Sequence, residues 1–254
     1  MAKPTIIFVH GAYHSKEYFD RVIAILEPLG YKCVALSMPA VGRHPPVKSL
    51  EEDIATVRSA VMTELDLGND VVVNAHSWGG IPTASALDGL SKSERASEGK
   101  TSSVVKLTFV SAFVLPKGTS LQDKIGGQIP PSWIFDEEGN MWLEEYTSIM
   151  YHDLDPEDAK YWVSKLKHHS YATITDTVKS AAYQKIPSAY LICEDDRAIP
   201  VKSQEDMIED ANKDGADFEV ERLFVSHSPY LAKPDAVAGF LRRAAGESLE
   251  IPRY

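Results

Sequence analysis

The sequence is short of several things that mark other protein classes. Cysteine is rare: Cys33 and Cys193 are the only two in 254 residues. Both lie in apolar runs that read as buried strands, so two buried thiols are expected rather than a disulfide framework. No run approaches the ~20 apolar residues that a membrane-spanning helix needs. Positive charge is scarce, with 26 Lys and Arg against 37 Asp and Glu, a formal net charge of −11. Nucleic acid and anionic membrane surfaces reward basic residues, so neither is expected as a partner. The opening "MAKPTIIFVHG" enters a strand almost at once and has no apolar leader followed by a small-residue cleavage site. A cytoplasmic, reducing location is the expectation. No internal repeat or low-complexity tract stands out.

What is present is alternation. Apolar runs at Thr5–Val9, Tyr31–Leu36, Asp70–Ala75, Val104–Val110, Ser188–Cys193 and Phe218–Phe224 read as strands. Several are continuous rather than alternating, as strands buried on both faces should be. Helical patterns fall between and after them, at Lys16–Leu29, Leu50–Leu67, Gly80–Leu90, Lys202–Asn212 and Pro229–Ala245. This order predicts an α/β fold with a mostly parallel six-stranded sheet and helices on both faces. Residues 116–185 break the rhythm and show no convincing strand. They read as a mostly helical cap inserted into a core made of residues 1–115 and 186–254. The cap's Trp133, Trp142 and Trp162 either pack a small subdomain or roof a pocket. Residues 91–100, "SKSERASEGK", read as a surface loop.

The stretch "VVVNAHSWGGIP", Val71 to Pro82, places Ser77 where a strand stops and small residues begin. In a parallel sheet, ligands bind at the carboxyl ends of the strands. A serine nucleophile there must project from a sharp strand-to-helix turn with small neighbours. The pattern is G-x-S-x-G with Ala75 in place of the first glycine, a signal that alone occurs by chance.

A serine hydroxyl needs a base, and the base needs an orienting group. "CEDDRAIP" ends one buried strand in acids, and "VSHSPYLAKPD" puts His227 just past the last strand. The chain order is therefore Ser77, an acid, His227, each on a loop at the same sheet edge. Three acids stand in a row, Glu194, Asp195 and Asp196. Side chains alternate along an extended segment, which turns Asp195 away from its neighbours, and Asp196 lies furthest onto the loop. For the oxyanion, the backbone N–H of Ala12 after "FVHG" and that of Trp78 after the serine are the candidate donors. Gly11 permits close approach of the backbone to a substrate, and His14 is a candidate pocket wall. His168-His169 and His152-Asp153 have no partner set with ligand spacing. They are expected to be solvated, and no metal or cofactor is expected.

Together, "FVHGAYH", "AHSWGG", "CEDDRAIP" and "SHSPYLAKPD" resemble the α/β-hydrolase superfamily over essentially the whole chain. The likeness is greatest to the compact branch of plant methylesterases and hydroxynitrile lyases with related fungal and bacterial esterases. The resemblance implies an α/β-hydrolase fold with a cap at about 116–185. It implies Ser77 as nucleophile, His227 as base and Asp196 as orienting acid, four residues ahead of Pro200 as in similar hydrolases. It implies Ala12 and Trp78 as oxyanion donors; Gly11, His14 and the cap's Trp133, Trp142 and Trp162 are candidates about the substrate on the residue reading alone. Hydroxynitrile lyases of that branch carry a lysine after the catalytic histidine and a threonine beside the oxyanion loop; here Ser228 and Gly11 stand there. The expectation is a hydrolase of a small-molecule carboxylic ester or lactone that is fairly apolar. Two alternatives stay open: a receptor-like ligand binder with little turnover, and a lyase, C–C hydrolase or cyclase acting on a secondary metabolite.

Overall fold

The computed structural model describes residues 3–251. In chain order its strands are β1 (Thr5–Val9), β2 (Cys33–Ala35), β3 (Val71–His76), β4 (Val104–Val110), β5 (Trp133–Phe135), β6 (Asn140–Leu143), β7 (His169–Ser170), β8 (Ser188–Cys193) and β9 (Phe218–Leu223). Six of them form one sheet in the order β2-β1-β3-β4-β8-β9, and every pairing in it is parallel. β1, β3 and β8 are buried along their whole length, because β-branched and aromatic side chains fill both faces of the pleat. β9 differs. It is an edge strand, and its Glu219 and Arg222 lie exposed, which discourages pairing with another chain. Helices Asp20–Leu26 and Pro234–Ala244 pack on one another, as do Glu51–Asp66 and Gly80–Ala86.

The expected strands and helices are present, some with ends moved by one to four residues, and four local expectations need correction. The C-terminal helix is two pieces, Pro229–Ala232 and Pro234–Ala244. Proline disfavours helical backbone at the residue before it, and Lys233 sits at φ −138°. Residues 91–100 are not a loop: Lys92–Ser97 is a helix with a capping box, Ser91 accepting from Glu94 N–H. The S-x-x-E spacing carried that signal. Nor is the inserted segment without strands. β5, β6 and β7 form a small antiparallel sheet, turned at Asp136, whose Oδ1 accepts from the N–H groups of Glu138 and Asn140. Such short strands show no periodicity. The segment is also not mostly helical, since its helices are Leu121–Lys124, Tyr146–Met150, Pro156–Val163 and Ala172–Thr175, with a 3-10 turn at Ala182–Gln184. The insertion is laced to the core loop after β2 by Ser170 N–H donating to Ala40 O (2.8 Å) and Gly42 N–H to His168 O (2.9 Å).

Both cysteines are free thiols, Cys193 buried and Cys33 half-buried, and burial pushes the Cys33 thiol up to about 12. No helix among the described residues is long and apolar enough to cross a membrane. Because the large sheet is parallel, the carboxyl ends of β1, β3, β4, β8 and β9 share one edge. The strand order reverses at β1, the position where open α/β sheets form their binding crevice.

Candidate active site

β3 delivers Ser77 into left-handed backbone, φ +52°, a region uncommon for any side chain but glycine's. The surroundings hold it there. Phe113 N–H donates to Ser77 O (3.0 Å). A β-carbon at Gly79 would lie 2.7 Å from the carbonyl oxygens of Val9 and His10, and one at Gly11 would lie 2.7 Å from Ser77 Cβ. Two glycines therefore let the turn and the β1 loop meet. Ala75, facing Val9 and Phe109 on the neighbouring strands, is fully buried and takes the place of the motif's first glycine without disturbing the turn.

Three loops bring their polar groups to this serine. Ser77 Oγ lies 2.9 Å from His227 Nε2, and His227 Nδ1–H donates to Asp196 Oδ2 at 2.7 Å. Asp196 Oδ1 accepts from the N–H groups of Ala198 (2.7 Å) and Ile199 (2.9 Å), which fixes the carboxylate plane. The other two acids diverge from it, Asp195 to His152 (3.0 Å) and Glu194 to Arg222 (3.1 Å). A hydroxyl, an imidazole and a carboxylate in this chain can pass the serine's proton to Nε2 while the carboxylate stabilises the resulting imidazolium.

Two residues of the site escape sequence reasoning. Ser111, at φ +41° just past β4, donates its hydroxyl to Asp196 Oδ2 and lies 3.2 Å from His227 Nδ1. Its only signal was position, a serine ending a fourth buried strand at the same edge. His76 donates from Nε2 to the carbonyl oxygen of His227 at 2.9 Å, and so steadies the loop that carries that residue.

Ser77 and His227 open on a cavity of about 250 Å³, with Ala12 and Trp78 in its lining. Its walls are apolar, among them Leu143, Ile149, Met150, Ile174 and Ile199, with Arg197 also in the lining. Of the cap tryptophans only Trp133 lines it. Trp142 instead stacks edge-on with His168 (5.7 Å) and Trp162 with Tyr18 (6.3 Å). Gly11 and His14 also stand outside the lining. His14 is buried and donates from Nδ1 to Ala12 O at 2.9 Å, so it braces the β1 loop rather than walling the cavity. A roomier depression of about 600 Å³ lies between β9 and helix Val201–Lys213, lined by groups such as Glu205, Glu209 and Lys213, and offers no nucleophile.

His168 and His152 are not freely solvated either. Both are half-buried; His168 Nε2 bonds Arg43 O (3.0 Å) and His152 pairs with Asp195. His169 departs furthest from expectation: it is fully buried and packs against the Trp78 ring at 4.6 Å. It belongs to a set of buried neutral imidazoles around the site. Burial pushes His10 down to about 4, His14 to about 3, His169 to about 3, and His76 well below its ordinary value. An unfolded histidine takes its proton near 6.5, so below that pH the unfolded chain binds more protons than the folded one, and stability falls as pH falls. The slope is about 1.4 kcal/mol per pH unit for each imidazole still unprotonated in the fold. Thermal midpoints measured from pH 7.5 to 5 are expected to drop steeply from about pH 6 downward; a flat profile over that range would contradict neutral burial. No group of three or more metal-binding side chains occurs among the described residues.

The comparisons with known proteins bear on the family and the fold. Residues 6–240 match the alpha/beta hydrolase family. The alpha/beta hydrolase nvfD of Aspergillus novofumigatus is 36% identical over 99% of this chain and 100% of its own length. Methylesterase 2 of Arabidopsis thaliana is 26% identical over 94% of this chain and 95% of its own. Among solved structures, polyneuridine aldehyde esterase superposes with a TM-score of 0.73 at 20% identity, covering 95% of this chain and 98% of that one. A pyrethroid hydrolase from Sphingobium faniae JZ-2 gives 0.72 at 19% identity, covering 96% and 98%. On sheet order, turn geometry and sequence match together, the chain belongs to the alpha/beta hydrolase family.

Proposed function

We propose that the protein is a serine hydrolase that cleaves a carboxylic ester or lactone of a small, fairly apolar molecule through an acyl-enzyme. The observation that carries this reading is the unbroken hydrogen-bond chain from Ser77 through His227 to Asp196, opening on an apolar cavity. Ser77 Oγ attacks the carbonyl carbon as its proton passes to His227 Nε2. Asp196 keeps the remaining imidazole proton on Nδ1 and offsets the positive charge. The N–H groups of Ala12 and Trp78 receive the tetrahedral oxyanion. Collapse of that intermediate breaks the bond to the leaving alkoxide, which takes the proton from Nε2. A water, deprotonated by the same nitrogen, then releases the acid and restores Ser77. Relatives named as methylesterases and esterases support esters as the substrate class. The direct test is labelling by a fluorophosphonate followed by an ester and lactone panel. Labelling and multiple turnovers by the native protein are expected, and single-turnover behaviour would favour a ligand binder instead.

The cavity walls make a further expectation specific. Trp133→Ala should change KM and the preference among acyl groups, because that ring is part of the wall. Trp142→Ala, on a ring packed outside the cavity, should leave selectivity within about twofold. Equal effects of the two on an acyl-length series would remove Trp133 from the substrate-binding assignment.

A further inference from the structure

One short stretch of the inserted segment, residues 148–153, runs from the end of the helix Tyr146–Met150 into the turn after it and reaches loops after three different core strands. Toward the base loop, Ser226 N–H donates to Asp153 Oδ2 at 2.8 Å and Ser226 Oγ donates to Met150 O at 3.1 Å. Ser226 immediately precedes His227. Toward the acid loop, His152 Nε2 pairs with Asp195 at 3.0 Å and Arg197 donates to Ser148 O at 3.1 Å, so the residues on either side of Asp196 are both held. Toward the oxyanion loop, Tyr151 OH lies 2.8 Å from His14 Nε2. His14 Nδ1 faces the carbonyl of Ala12 and must carry the proton, which leaves Nε2 to accept from the phenol. Tyr151 and Ser226 are fully buried and His14 nearly so; bonds of this kind are poorly replaced by water when broken. The same stretch supplies Ile149 and Met150 to the cavity wall.

We infer that the stretch is a positioning element that ties the cavity wall to the alignment of the catalytic groups. Asp153 acts on His227 through the Ser226 N–H, and Tyr151 acts on Ala12 through His14. The inference rests on the serine-hydrolase reading above. None of these side chains touches a reacting atom, so their loss should appear in kcat rather than in substrate affinity, because misplacing a reacting group by a fraction of an ångström costs rate.

The test compares Asp153→Ala, Asp153→Asn, Tyr151→Phe and Ser77→Ala on one ester, with thermal midpoints measured alongside. Asp153 is exposed and Tyr151→Phe keeps the ring, so all the variants should fold. Asp153→Ala is expected to lower kcat by roughly 10- to 100-fold with KM changed less than about threefold. Asp153→Asn should recover to within about threefold, since an amide oxygen still accepts from Ser226 N–H. Tyr151→Phe should lower kcat by about tenfold. A native kcat in Asp153→Ala, a loss confined to KM, or failure of the asparagine to rescue would overturn the inference while leaving the hydrolase reading intact. Activity retained by Ser77→Ala would instead remove the reading on which it rests.

Discussion

Ser77→Ala is expected to lower kcat by on the order of 10⁴ to 10⁶ while the protein stays folded. The size follows from what the hydroxyl does and from what remains without it. Removing Oγ leaves His227 and Asp196 bonded to each other but with no group to deprotonate, so covalent catalysis stops. The cavity and the backbone donors persist, and together they still give roughly 10³-fold over water. Folding should be spared because alanine keeps the same β-carbon in the same left-handed backbone, and the ring of His227 keeps its bond to Asp196. Steady-state rates, fluorophosphonate labelling and a melting curve on one preparation decide the matter. Near-native turnover in a folded Ser77→Ala protein would sink the nucleophile assignment.

The second large effect separates two neighbouring acids. Asp196→Asn should cost on the order of 10³ to 10⁴ in kcat, since an amide facing Nδ1 donates where a carboxylate accepts and so stabilises the imidazole with its proton on the wrong nitrogen. The structure adds a second reason. Asp196 Oδ2 also takes the Ser111 hydroxyl, and its other oxygen takes two backbone N–H groups. An asparagine cannot satisfy these donors and also present an acceptor to His227. Asp195→Asn should cost less than about tenfold, because Asp195 faces His152 and an amide oxygen there still accepts its bond. Kinetics of both variants on a single ester give the answer. If Asp195→Asn is the crippled enzyme, the orienting acid lies one residue earlier.

The legible part of this molecule was the part governed by periodicity. The continuous runs of β1, β3 and β8 marked strands buried on both faces, and each loop after such a strand became a place to look for chemistry. Ser77, Asp196 and His227 each follow a strand of the large sheet and fall at one edge. Ser111 obeyed the same rule, but a lone serine after "KLTFV" carries no residue-type signal, and its bond to Asp196 exists only because β4 and β8 pair in the sheet. The inserted segment was illegible for a different reason. Its strands are two to four residues long, too short for alternation to register, and its three tryptophans look alike in sequence. Which of them faces the cavity depends on how β5 and β6 register, and that is a tertiary fact. His169 is buried rather than solvated, and burial of an isolated histidine leaves no pattern in its neighbours.

The strand order also sets a timetable for synthesis. The Ala12 loop follows β1, Ser77 follows β3, Ser111 follows β4 and Asp196 follows β8, but His227 is carried beyond β9, at the far edge of the sheet. Domains generally fold as units, and the amino-terminal part of a chain leaves the ribosome first. A nascent chain that has emerged past Asp196 but not yet past β9 therefore carries Ser77 and Asp196 but not the imidazole that bonds to both. β8 meanwhile presents an open edge, closed only when Ser188 to Cys193 pair in register with Phe218 to Leu223. The segment that closes this edge leads directly into His227, so the last strand of the sheet and the last member of the Ser77–His227–Asp196 chain arrive together.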